Sequence, residues 1–227
     1  MLLLVTDTSG RNGTVALARA GESSSTNEIQ LIEVAPLAGG AFSAQLVPQI
    51  AGLLQKHALG KTDIGAFIVV SGPGSFTGLR VGLAAIKALA EILQKPIVPV
   101  SLLEVVATVA RDQGKVVAAL DGGRHEVFFG AYEIAGESVQ VLREELLSQP
   151  EFLLAAREST VVTPDSALAD AARTAGLPVL AVDPPNSAMI ARFGWTKLQA
   201  GKTVPPEQLE ANYMRRSDAE MFVKQSS

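Results

Sequence analysis

The sequence predicts an α/β protein made of two copies of one β-β-β-α-β-α plan. Three observations predict it. A glycine-rich turn joins an apolar strand to a long apolar helix in the stretch VVSGPGSFTGLRVG at residues 69–82. Short β-branched runs alternate with segments of helical period along the whole chain. Two passages also echo each other, LLLVTDTSGRNGTVALA from Leu2 and VVAALDGGRHEVFFGAY from Val116. Each is an apolar strand, an aspartate at its carboxyl end, a Gly-Arg turn and a returning strand. The spacing from Asp7 to Asp121 is 114 residues, too long for a solenoid repeat and right for a duplicated domain.

Taken in order, Leu2 to Thr6 reads as a strand that stops at the turn Asp7 to Gly13, and Thr14 to Arg19 returns. Glu28 to Val34 alternates as a third strand, with 35–40 (APLAGG) as a flexible join. Ala41 to His57 has helical period, with Pro48 expected to kink it or to begin its regular part. After the strand 66–70 and the glycine turn, Gly78 to Gln94 is helical. Its polar members Arg80, Lys87, Glu91 and Gln94 fall in one narrow stripe, so it needs cover on two sides. Ile97 to Val100 is a strand, and Ser101 caps a helix to about Asp112. The plan then restarts with strands at 115–120, 126–134 and 139–142. A helix near 150–157, a strand at 160–163, a helix at 166–175 and a strand at 179–182 follow. A helix at 187–200 closes the order. The expected division is a first lobe at 1–112, a smaller second lobe at 113–204 and a tail at 205–227 packing back on a lobe.

Composition narrows the function. The 227 residues are 48% hydrophobic and 19% charged, enough for one large core or two small ones. With 19 basic against 23 acidic residues, no basic field exists to hold nucleic acid unaided. Cysteine is absent, the two histidines His57 and His125 stand far apart, and no His/Asp/Glu set has metal-ligand spacing. The opening MLLLVTDTS lacks a basic region and its apolar run is short. A soluble, cytoplasmic protein is expected.

The glycine turn carries two readings. Gly72 and Gly74 with Ser75 and Thr77 as cap residues can aim free backbone N–H groups and the Gly78 end of a helix at a phosphate. Equally, the glycines can serve only close packing between strand and helix. Its spacing is neither the dinucleotide fingerprint nor a P-loop. Asp7, Thr8 and Ser9, with Asp121 in the second copy, could orient a phosphate or magnesium. The alternative is that each aspartate caps its own turn. Arg80 could bind phosphate from the helix's first turn or pair along its polar stripe.

Two ribonuclease-H-like halves with an acid after each first strand describe the actin, sugar-kinase and Hsp70 (ASKHA) architecture. Within it, Asp7-Thr8-Ser9, SGPGSFTGLRVG, KPIVPVSLLE and Asn212-Tyr213-Met214-Arg215 resemble the bacterial TsaB (YeaZ) family of tRNA threonylcarbamoyladenosine biosynthesis proteins, degenerate relatives of the M22 peptidase-like group. Ala211 stands where that family's ending usually has proline, and Phe42 where relatives often carry a histidine. The resemblance implies a non-catalytic subunit, without activity alone, needed for threonylcarbamoyl transfer to adenosine 37 of tRNA. It implies a homodimer, a heterodimer with the catalytic paralogue TsaD, contact with the pathway ATPase TsaE, and tRNA met only through the complex. No cofactor is firmly implied by it, and ATP with magnesium is admissible in the complex. The runner-up is a small ATP-dependent kinase or ATPase of the same fold using Asp7, the 72–78 loop and Asp121.

The two long helices of the first half are the expected interface. Phe42, Leu46, Ile50 and Leu53 would supply one helix, and Leu79, Leu83, Ile86 and Leu89 the other. Glutamate in place of Leu83 or Leu89 is then expected to break the pair and leave the fold intact.

Overall fold

The structure is a computed structural model that describes residues 1–21, 29–111, 114–135 and 138–214. In chain order it forms β1 (Leu2–Asp7), β2 (Gly13–Ala20), β3 (Ile29–Leu37), α1 (Phe42–Lys56), β4 (Ile64–Gly72), α2 (Phe76–Leu93) and β5 (Ile97–Ser101). Then come α3 (Leu102–Ala107), β6 (Gly114–Gly123), β7 (Glu126–Ala135), β8 (Ser138–Ser148) and α4 (Gln149–Ala155). The chain ends its regular structure with β9 (Thr160–Thr163), α5 (Ser166–Thr174), β10 (Val179–Ala181) and α6 (Ser187–Gln199).

Two sheets carry the duplication. The first has the order β3-β2-β1-β4-β5 and the second β8-β7-β6-β9-β10. In each, the three leading strands are antiparallel neighbours, and the last two add parallel to the first. A central strand buried on both faces reads as an unbroken apolar run, as Leu2 to Val5 and Val116 to Ala119 do.

The described residues divide into one unit of residues 1–101 with 186–212, and a second of 102–185 with 213–214. This differs from the expected boundaries at 112/113 and 204/205. In the first unit α1 and α2 lie on one face of the sheet, and α6 crosses the other, touching all five strands. In the second, α4 and α5 share one face and α3 takes the opposite one. Each half of the sequence therefore hands its last helix to the other unit, which a cut at a loop cannot reveal.

In the first unit α1 buries Phe42, Leu46, Ile50, Leu53 and Leu54, each contributing about 1.5–3 kcal/mol of burial. That outweighs the roughly 3 kcal/mol cost of a proline inside a helix. Pro48 sits within α1, which runs unbroken through it. The Lys56 ammonium and the His57 ring tie its end to Glu33 at 2.7 and 2.8 Å, and these hydrogen bonds hold the Glu33 carboxyl below its ordinary value. On the other face, Gly194 of α6 lets the helix settle onto Ile68 of β4. The segment after α6 returns to the same unit. Val204 N–H donates to the Ile97 carbonyl at 2.9 Å, Leu209 is fully buried and Asn212 N–H donates to the Ser71 carbonyl at 2.8 Å. The chain packs on the first unit through residue 212, and residues 215–227 lie outside those described.

Three elements differ from the sequence reading. β3 continues through Leu37 because Ala35 and Leu37 are buried opposite Val15 and Gly13, and an edge strand tolerates Pro36. β8 extends to Ser148, paired along the whole of β7, and its Arg143, Glu144 and Glu145 suit an edge strand. The helix expected from Ser101 to Asp112 is only α3 followed by a 3-10 turn at Thr108–Ala110, with Ser101 in β5; Asp112 lies outside the described residues.

Thr6 in β1 is 1% exposed and its hydroxyl has no hydrogen-bond partner among the described residues. Valine has the same branched shape without the stranded oxygen. Thr6→Val is expected to stabilise the protein by about 1 kcal/mol, read as a higher urea midpoint at unchanged slope.

Candidate functional site

The glycine turn is built around the β1–β2 connection. β4 ends at Gly72, and Pro73-Gly74 lead to Ser75, the N-cap of α2, whose hydroxyl accepts the Gly78 N–H at 3.3 Å. Ser75 N–H donates to the Ser9 carbonyl at 2.6 Å. A methyl group at Gly74 would overlap Ser9, one at Gly78 the Thr8 carbonyl oxygen, and one at Gly82 the Thr8 hydroxyl. On its other side, a Cβ at Gly72 would come within 2.8 Å of the Asn212 carbonyl oxygen. The motif's glycines thus serve close approach between its turn and the segments beside it. Of the two readings open in the sequence, packing accounts for all four of these glycines.

The two aspartates shape their own turns. Asp7 Oδ1 accepts from Ser9 N–H at 2.9 Å and from the Ser9 hydroxyl at 2.6 Å. Asp121 Oδ1, in the second unit, accepts from Gly123 N–H at 2.8 Å. The echo between the two passages stops there. The first turn is a long loop, whereas the second is a two-residue turn with Arg124 and His125 at φ 55° and 64°. The Arg80 guanidinium stacks on the Phe76 ring at 3.7 Å from its centre.

One cavity of about 610 Å³ opens in the first unit, where the tip of the β1–β2 loop meets the heads of α1 and α2. Of the residues expected to hold phosphate, Ser9, Ser75, Thr77 and Gly78 line it. Asp7, Thr8, Gly72, Gly74, Arg80 and Asp121 do not, because the first four are turned into the packing just described, Arg80 lies on its own helix and Asp121 belongs to the other unit. Arg11 and Asn12 from the loop tip, Gly39-Gly40 and Ser43 complete the polar wall, and Phe42 and Val81 supply apolar surface. These additions were missed because Gly39-Gly40 lie in the stretch read as a join, Arg11 and Asn12 in the turn beyond Asp7-Thr8-Ser9, and Phe42, Ser43 and Val81 on helices read only for their apolar faces. The Gly39-Gly40 pair beside a serine was the available signal.

The eight residues expected at a partner interface face inward. Phe42, Leu46, Ile50, Leu53, Leu79, Leu83 and Ile86 are 0–7% exposed in the core between helices and sheet, and Leu89 packs against that core half-buried. The helical period found the amphipathic face correctly, but that face covers the sheet. Among the residues α1 and α2 turn outward are Ala44, Val47, Pro48 and Ala51, with Ala84, Ala88 and Ile92; Ser43, Gln55, Lys56, Thr77, Arg80 and Glu91 are exposed as well. Val47 is 53% and Ile92 71% exposed. Small apolar side chains on two adjacent helices form a surface another helix can approach closely.

Among the described residues, no group of three or more His, Cys, Asp or Glu is placed to hold a metal ion, and no helix is long and apolar enough to cross a membrane.

Comparison with known proteins adds the following. Residues 34–187 match the family model described as TsaD, tRNA N6-adenosine threonylcarbamoyltransferase. The tRNA threonylcarbamoyladenosine biosynthesis protein TsaB of Haemophilus influenzae is 34% identical over 65% of this chain and 57% of its own length. TsaB of Escherichia coli is 29% identical over 77% of this chain and 81% of its own. The match to the first thus spans little more than half that relative's length. YeaZ from Pseudomonas aeruginosa superposes with a TM-score of 0.70 at 23% identity, covering 93% of this chain and all of that one, which establishes the shared fold.

Proposed function

Because the chain belongs to the TsaD family, in its TsaB (YeaZ) branch, we propose that it acts in tRNA threonylcarbamoyladenosine synthesis as a non-catalytic subunit. The group would be transferred to adenosine 37 by a catalytic paralogue of the TsaD type, with this chain paired to it. The observation that carries the subunit reading is the outward face of α1 and α2. Ala44, Val47, Ala51, Ala84, Ala88 and Ile92 form an apolar surface of small side chains that another protein can cover. In the free state a second copy of this chain occupies that face as a homodimer. In the working state the paralogue replaces it, the pathway ATPase joins the pair, and tRNA is met through the complex in the cytoplasm.

The kinase or ATPase alternative is not favoured. The TsaB relatives that this chain matches are threonylcarbamoyladenosine biosynthesis proteins, and Asp7 Oδ1 takes two hydrogen bonds from Ser9 within its own turn.

A reconstituted assay with the paralogue, the ATPase, threonylcarbamoyl-adenylate and unmodified tRNA tests the reading. Omitting this chain is expected to drop modified adenosine to background, and adding it back to restore it. Full modification without it would overturn the reading.

A further inference from the structure

We propose that the cavity at the head of α1 and α2 is a binding site for a ligand carrying a phosphate or carboxylate group on an apolar body. This goes beyond the subunit role and does not depend on it. The cavity encloses about 610 Å³, room for a ligand of several dozen atoms at most. Among the described residues its only ionisable one is Arg11, and no acidic side chain of those residues stands in its wall. The rest of the polar lining is small and donor-rich. Asn12, Ser43 and Thr77 are exposed side chains with N–H or O–H groups to offer, and Gly40 presents backbone without obstruction while Gly39 packs against the Arg11 carbonyl. A guanidinium among hydroxyls and amides, unopposed by any carboxylate, selects an anion. Phe42 and Val81 give the remainder of the ligand an apolar surface, and Phe42 is held there by its own burial against Gly13 and Gly78.

The site is distinct from the face of the sheet that α6 covers, and it uses neither Asp7 nor Asp121. Its walls come from three separated parts of the sequence, the β1–β2 tip, the β3–α1 connection and the first turn of α2. The glycine packing described above is what holds the first and third of these together.

The test uses the isolated full chain and three probes: inorganic pyrophosphate, malonate and adenosine monophosphate. Binding is followed by amide NMR shifts of Gly10, Gly39, Gly40 and Gly78. Saturable shifts with at least one probe are expected. Pyrophosphate or the nucleotide acting alone identifies a phosphate ligand, malonate alone a carboxylate ligand, and both the shared chemistry. Arg11→Gln is expected to weaken binding about tenfold, the loss of one charged hydrogen bond. Ser43→Glu places a carboxylate in the wall at the first turn of α1, where it favours the helix. It is expected to abolish binding while the melting temperature holds or rises, which separates loss of the site from loss of the fold. No saturable shift with any probe, or unchanged affinity in both variants, would overturn the proposal.

Discussion

Gly78→Ala is expected to destabilise the protein by about 3 kcal/mol or more, although alanine is the better helix former by about 1 kcal/mol. Gly78 lies in the first turn of α2, and its missing side chain is where the Thr8 carbonyl oxygen rests. A methyl group there meets the Thr8 backbone on one side and the buried Phe42 ring on the other. Neither α2 nor β1 can retreat, since Ser75 N–H is bonded to Ser9 and Leu79 is buried beneath the helix. The matched control is Gly52→Ala in α1, an exposed glycine with nothing within 4 Å of the added methyl group. That change is expected to stabilise by about 0.5–1 kcal/mol. Urea unfolding of the two variants reads the contrast directly. Equal and positive effects at both positions would mean that the motif's glycines are not packing glycines.

Leu83→Glu is expected to leave no folded protein at ambient temperature, rather than a folded protein that fails to pair. Leu83 is 5% exposed in the core under α2, and an unpaired carboxylate there costs several kcal/mol, comparable to the whole stability of a domain. Ala88→Glu, on the outward face of the same helix, is expected to leave the circular dichroism melt within about 0.5 kcal/mol of the parent. It would place a charge in the middle of the apolar docking surface. A folded Leu83→Glu variant would contradict the assignment of the two faces.

Much of the fold was legible from the residues because strands and helices here obey their periods. The apolar runs at Leu2 to Val5 and Phe67 to Val70 became the buried central strands, and the α1 positions Phe42, Leu46, Ile50, Leu53 and Leu54 are the buried ones. The duplication was legible for the same reason, since Asp7 and Asp121 end equivalent strands. What periodicity cannot say is which partner covers a face. Ile190, Ala191 and Gly194 mark an inward stripe on α6, but nothing local reveals that it lies on the first sheet, far back in the sequence. The same blindness turned the inward stripe of α2 into an expected interface. The cavity was half legible. Ser9, Ser75, Thr77 and Gly78 came from one motif and its neighbour in the fold, whereas Arg11 and Ser43 reach it only through the β1–β2 loop and the start of α1.

The most direct test of the subunit role is sedimentation of this chain with the transferase paralogue from its own cell, using the parent and Ala88→Glu. The account predicts a tight 1:1 complex that replaces a homodimer of the free chain, and loss of both species in the variant. Ala88→Glu pairing as tightly as the parent, or a chain that never joins the paralogue and turns over ATP alone, would contradict it.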